Sequence, residues 1–272
     1  MPRLTFAAVL STFFALIPLS GLPAFACGPD SDCMLGDRPY RIQMPQGVSN
    51  PGAIIFAHGY RGSHLGTMRN KNLRAVADRL GVAFVAVKSY AEDWRIPGTP
   101  SDMGTDGAVE LLYFDQLVAD LGSRHGIDTS RLMLTGFSAG GMLVWQMACD
   151  RGDSFAAFVP IAGTFWGEIP QTCATAPANL IHIHGTGDRI VPLEGRPIGQ
   201  THQGSVTGAL ALARRLGGFT TPQPVPAPDL DCTAETAADG ALLEVCLHPG
   251  GHSVKSAWIE RAWQRFEQTG AL

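Results

Sequence analysis

Ser138, Asp188 and His252 have the types and the order along the chain that acyl transfer needs. A serine hydroxyl is a poor nucleophile at neutral pH. A histidine within reach takes its proton and later returns one to the leaving group. An acid then fixes the histidine's tautomer and stabilises its cation. Ser138 stands in Gly136-Phe-Ser138-Ala-Gly140. That pattern alone is weak, because glycine and serine are common in loops. Its setting adds weight: the apolar run 132–134 precedes it and a helix-like run, 142–149, follows. A strand that turns at once into a helix lifts the hydroxyl clear of a sheet. It also aims at that hydroxyl a helix N-terminus, whose free N–H groups and partial positive charge suit an oxyanion. Gly136 and Gly140 permit the tight turn, and Gly141 lets the helix pack closely.

Asp188 follows the apolar run 179–184 in Gly185-Thr-Gly187-Asp188-Arg189-Ile190-Val191-Pro192. An acid held by glycines at a strand's end suits the orienting role. Glu194 and Asp153 are rivals, but neither sits directly at a strand's end. His252 lies in Pro249-Gly-Gly-His252-Ser253, just after the last expected strand. His248 competes from the strand end itself. The glycines before His252 favour it as the residue that reaches the serine. A second oxyanion donor is sought where the apolar strand 53–57 runs into His58-Gly59-Tyr60-Arg61-Gly62. The backbone N–H of Tyr60 is expected to join that of Ala139 there. His58 itself reads as a buried residue holding the loop. No step of this chemistry requires a metal or another cofactor, and none is expected.

These residues need a scaffold of buried parallel strands with loops at their carboxyl ends, where ligands bind in open α/β sheets. The wholly apolar runs 53–57 and 82–87 and the mostly apolar runs 154–162 and 179–184 fit strands buried on both faces. Residues 40–44 alternate and read as a first, edge strand. Helical spacing appears at 72–80, with Gly81 as its cap, at 106–121, at 204–216 and at 254–269. In the second of these Asp106 is expected to cap, and Val109, Leu112, Leu117 and Leu121 to face inward, with Glu110 in solvent. Residues 222–228 are proline-rich and too short for a domain linker. Residues 232–235 and 241–247 read as a hairpin about Asp239-Gly240. The expected fold class is α/β, a single domain with a mostly parallel central sheet and helices on both faces. Two loops at strand ends carry tryptophans, Trp94 in 89–105 and Trp166 in 163–167. Both are candidate substrate walls, and for Trp94 the alternative is a plug that fixes its loop to the core.

The chain has 272 residues, of which 45% are apolar and 16% charged, with a net charge of −4. That composition supports one sizeable core, and without a lysine- or arginine-rich run it argues against nucleic acid as a partner. Arg3, the apolar stretch 7–19 and Ala24-Phe25-Ala26 read as an export signal, 1–26, too short for a membrane span. The catalytic domain would then be 27–272, secreted or periplasmic, with no stable membrane insertion, and monomeric. A cysteine at 27 also fits a lipoprotein, but the leucine of a lipobox is missing before it. Six cysteines remain: Cys27, Cys33, Cys149, Cys173, Cys232 and Cys246. In an oxidising compartment they suggest three disulfides, with 15 connectivities open. Nearest-neighbour pairing is the simplest expectation, one reduced pair the alternative.

Taken together, His58-Gly59 after a strand, Gly136-Phe-Ser-Ala-Gly-Gly-Met142, His184-Gly-Thr-Gly-Asp188-x-x-Val-Pro192 and Gly250-Gly-His-Ser253 are specific. They resemble the secreted polyhydroxybutyrate depolymerase and feruloyl esterase family over nearly all of 27–272. The resemblance implies the α/β-hydrolase fold and an exported carboxylic ester hydrolase. Its substrates would be hydroxyalkanoate polyesters, their oligomers or feruloyl-type esters. The sequence reads His-Gly-Tyr where the family more usually has His-Gly-Cys, and no Ser/Thr-rich linker follows. Both points favour soluble oligomers or small aryl esters. Peptide or thioester hydrolysis by the same three residues is an alternative. So is a non-catalytic binding protein of this fold, though such proteins typically lose the serine or the histidine.

Overall fold

A computed structural model describes residue 1 and residues 27–175 and 178–272. The expected export signal, apart from Met1, lies outside the described residues. The elements in chain order are β1 (Cys33–Leu35), β2 (Arg38–Gln43), β3 (Ala53–Ala57), α1 (His64–Arg69), α2 (Lys71–Leu80) and β4 (Ala83–Val87). Next come α3 (Ala108–His125), β5 (Leu132–Phe137), α4 (Ala139–Asp150), β6 (Ala157–Ile161), β7 (Leu180–Gly185), β8 (Arg196–Ile198) and β9 (Thr201–Gln203). The last are α5 (Val206–Gly217), β10 (Gln223–Val225), β11 (Asp231–Thr236), β12 (Leu242–His248) and α6 (Ser256–Thr269).

Ten strands make one sheet in the order β1-β2-β4-β3-β5-β6-β7-β12-β11-β10. From β4 to β12 every neighbouring pair is parallel, and the outer strands on both sides are antiparallel. All five residues of β3, of β4 and of β6 are buried, as strands covered on both faces must be. Alternation divides the core in two. Ala53, Ile55 and Ala57 join Phe114, Leu117, Leu143 and Leu210 beneath α3, α4 and α5. Ile54 and Phe56 join Met68, Val76, Trp258 and Phe266 beneath α1, α2 and α6.

Several expectations change. The edge of the sheet is β1, so 40–44 is the second strand in from it. The proline-rich connection contains β10, an edge strand where a proline's missing N–H costs no ladder bond. Helix α3 begins at Ala108 behind Gly107, which makes no side-chain cap, rather than behind Asp106. Asp102 does the capping work one turn earlier: its carboxylate accepts from the N–H groups of Asp106 (3.2 Å) and Gly107 (3.0 Å). The inward face of α3 is Glu110, Tyr113, Phe114, Leu117 and Leu121, while Leu112 is exposed and Val109 half-buried. Two aromatic rings outweigh two aliphatic side chains in choosing the buried face. Glu110 follows inward because Arg38 pairs with it and the Arg95 N–H donates to it at 2.9 Å.

The cysteines pair as nearest neighbours: Cys27–Cys33, Cys149–Cys173 and Cys232–Cys246, with Cα–Cα separations of 4.9, 4.7 and 4.1 Å. The last joins directly opposed positions of β11 and β12. Among the described residues no helix is long and apolar enough to cross a membrane.

Candidate active site

The elbow is built by steric exclusion. Ser138 has φ 60° and ψ −121°, a conformation that costs a non-glycine residue roughly 1–3 kcal/mol. The turn forces that cost because its flanks touch backbone. A Cβ on Gly140 would lie 2.0 Å from the carbonyl oxygen of Ala57, and one on Gly136 2.4 Å from the oxygen of Gly140. Ser138 N–H donates to Ile161 O (3.0 Å), and its own carbonyl takes the first helical bond of α4 from Met142 N–H (2.9 Å). The side chain therefore stands free at the N-terminus of α4, and Ala139 beside it has an N–H with no partner within the helix.

The loop after β3 closes against that elbow. A Cβ on Gly59 would sit 3.3 Å from Ser138 Cβ, and the next residue, Tyr60, lines the same cleft as the serine. His58 holds this loop. Its Nε2 accepts from Ser89 N–H (3.3 Å), which leaves Nδ1 as the donor to Gly59 O (2.8 Å). Burial pushes its pKa down to about 4, and the neutral ring suits that pair of bonds. Trp94 completes the support. It is fully buried, its Nε1–H donates to His58 O at 2.7 Å, and its ring packs on His58 with centroids 5.1 Å apart. The expectation that Trp94 walls the substrate is corrected: its indole N–H needs a buried acceptor, and the one it finds lies behind the loop.

Asp188 and His252 meet as their spacing implied. His252 Nδ1 lies 2.7 Å from Asp188 Oδ2. A carboxylate only accepts, so Nδ1 carries the proton and Nε2 keeps a lone pair able to accept one. The other oxygen, Oδ1, accepts from the N–H groups of Ile190 (2.8 Å) and Val191 (2.9 Å), which locks the carboxylate in the β7 loop. The His252 ring packs on Phe137, the residue before Ser138, with centroids 4.6 Å apart. His184 fixes the same loop from below by donating from Nε2 to Val191 O (2.8 Å), and it takes His182 Nε2–H at 3.1 Å on its Nδ1. Burial lowers the pKa of both. His248 stays at the end of β12, where its Nδ1 accepts from Gly250 N–H (3.1 Å) and its ring lies on Trp258. Glu194 and Asp153 are exposed and make no contact with the histidine.

Ser138 and Ala139 open on a cleft of about 620 Å³, walled by Tyr60, Pro100, Met142, Trp166, Ile190 and Ile198 among others. Trp166 lines this cleft, held by Nε1–H donation to Thr201 Oγ1 (2.9 Å). Phe165, the residue before it, is buried against Trp145. One part went unforeseen: β8 and β9 form a small separate hairpin that brings Arg196, Ile198 and Gln203 to the cleft. Strands of three residues are too short to show alternation. Only Gly195 and Gly199, both at positive φ, mark their ends. Asp93, also in the wall, is raised to about 6, chiefly by burial.

No family model matches the chain. It is 28% identical over 163 residues to an esterase, NocK, from Nocardia uniformis subsp. tsuyamanensis; the match takes in 58% of this chain but only 47% of that one, about half its length. It is 25% identical over 209 residues to feruloyl esterase C of Emericella nidulans, covering 72% and 73% of the two chains. Among solved structures, an acetyl xylan esterase from Aspergillus awamori superposes with a TM-score of 0.64 at 15% identity, covering 87% of this chain and 95% of that one. The fold is the α/β-hydrolase fold, and the relatives are named as esterases, as the motifs imply.

Proposed function

We propose that the chain is a serine hydrolase of carboxylic esters that works through an acyl-enzyme. The observation that carries this reading is the His252–Asp188 contact of 2.7 Å, on a loop whose histidine packs against the residue preceding Ser138. Ser138 Oγ would attack the ester carbonyl carbon while His252 Nε2 takes its proton. The carbon–oxygen bond of the leaving alcohol then breaks and that proton passes to the alcohol. Water, activated by the same nitrogen, hydrolyses the acyl-enzyme and regenerates Ser138. The N–H groups of Ala139 and Tyr60 would bind the tetrahedral oxyanion, each worth roughly 3–4 kcal/mol in comparable sites. Asp188 keeps the proton on Nδ1 throughout.

The substrate class proposed is that of hydroxyalkanoate oligomers or feruloyl-type esters. The esterase names of the relatives support ester chemistry, and a cleft of about 620 Å³ suits a small acyl or aryl group. The export signal read at 1–26 and the three disulfides support a secreted or periplasmic site of action. The test is Ser138→Ala assayed on hydroxybutyrate oligomers, methyl ferulate and p-nitrophenyl esters. Turnover is expected to fall roughly 10⁴- to 10⁶-fold with the melting temperature kept. Near-wild-type turnover on any ester that the parent cleaves sinks the reading.

A further inference from the structure

We propose that Arg196 is the recognition point for a carboxylate carried by the ester substrate, so that the preferred substrates are short hydroxy-acid oligoesters with a free acid end rather than neutral esters. This rests on the hydrolase reading above. Arg196 begins β8 and lines the same cleft as Ser138. Its guanidinium is oriented but not neutralised. The Nε–H donates to Gln203 Oε1 at 3.2 Å, across the β8–β9 hairpin where the two residues are directly paired. Gln203 is itself buried, and its backbone bridges to that of Trp166. Among the described residues no carboxylate lies within ion-pair distance of Arg196, and its two terminal nitrogens have no protein acceptor. A guanidinium pinned through Nε presents those two nitrogens as a fork, the geometry that takes a carboxylate through two parallel hydrogen bonds.

The other charged residues of the cleft are two acids, and each has a partner of its own. Glu92 is engaged by Arg61 at 3.2 Å. Asp93 accepts from Trp94 N–H at 2.8 Å, stands apart from Arg196, and above its pKa would turn an anionic ligand away from its own wall. The lining also includes Met142, Trp166, Ile190 and Ile198, which offer methylenes and methyls apolar contact in the same cleft as the serine and the arginine. The chemistry is therefore that of an aliphatic chain ending in an anion.

The experiment compares kcat/KM within two pairs of esters that differ only in charge: 3-hydroxybutyrate dimer against its methyl ester, and mono-p-nitrophenyl adipate against p-nitrophenyl hexanoate. The first pair carries the carboxylate on the alcohol side and the second on the acyl side. The wild type is expected to favour the charged member about tenfold or more in at least one pair. R196Q and R196A should each abolish that ratio, R196K should keep part of it, and 0.5 M salt should erode it. A ratio near one in the wild type, or a preference that survives both neutral variants, overturns the proposal. Either result leaves the role of Ser138 standing, because S138A is also read on methyl ferulate and p-nitrophenyl hexanoate, which carry no carboxylate.

Discussion

At the scale of single residues, Trp94 and Trp166 have the same side chain and opposite jobs. Both follow parallel strands, and local sequence does not distinguish them. What separates them is where the indole N–H finds an acceptor: His58 O, buried, for Trp94, and Thr201 Oγ1, on the β8–β9 hairpin, for Trp166. The two should part experimentally. Trp94→Phe removes a buried hydrogen bond, costs about 1–3 kcal/mol of stability, and lowers kcat through a loosened His58-Gly59 loop. Trp166→Ala opens the cleft and raises KM with little change in melting temperature. Steady-state kinetics and thermal melts on both variants decide the matter, and the same split for both would contradict the assignment. Ser138, Asp188 and His252 were legible because each follows a strand and the chemistry prescribes their order. Arg196 was not, since nothing around it in the sequence says that its hairpin folds over the serine.

At the scale of elements, the parallel strands were readable because burial on both faces leaves uninterrupted apolar runs. Helix α3 was read correctly at Leu117 and Leu121 but not at Leu112 and Glu110, since apolar spacing admits two overlapping stripes and only tertiary partners choose between them. The choice is measurable. Leu117→Ala should cost about 2–5 kcal/mol, whereas Leu112→Gln should change stability by no more than about 0.5 kcal/mol. Equal effects in denaturant melts would restore the original facing. The loop carrying Trp166 is held by an element-scale device, the Cys149–Cys173 disulfide reaching from the end of α4, with Ala174 N–H donating to Cys149 O at 3.0 Å. Replacing both cysteines by serine should cost about 2–5 kcal/mol and raise KM, because the cleft wall loses its anchor. A variant with an unchanged melting temperature and KM would show the bridge to be idle.

At the scale of the whole molecule, the histidines set a direction for acid sensitivity. His58, His64, His125, His182, His184 and His248 all have their pKa lowered, in each case chiefly by burial. The unfolded chain then takes up protons first as the pH falls through about 6.5, so stability is greatest above that value and is lost on the way to about 4. Asp93 acts the other way: raised to about 6, its carboxyl is protonated in the folded state first and favours folding as the pH drops. Six groups against one predict a melting temperature that declines between pH 7 and pH 4.5. Asp93→Asn should stabilise at pH 8 and bring no gain at pH 4. A melting temperature that rises on acidification would contradict this balance. The strand order carries a last consequence, for the time course of synthesis. Strand β12, which delivers His252, docks between β7 and β11, and α6 behind it reaches back to the first half of the chain through Arg79 and Glu260 at 2.6 Å. A polypeptide still emerging from the ribosome thus holds its nucleophile long before its base. On the hydrolase reading it is chemically silent until β12 and the loop after it have been made, a latency written into chain order.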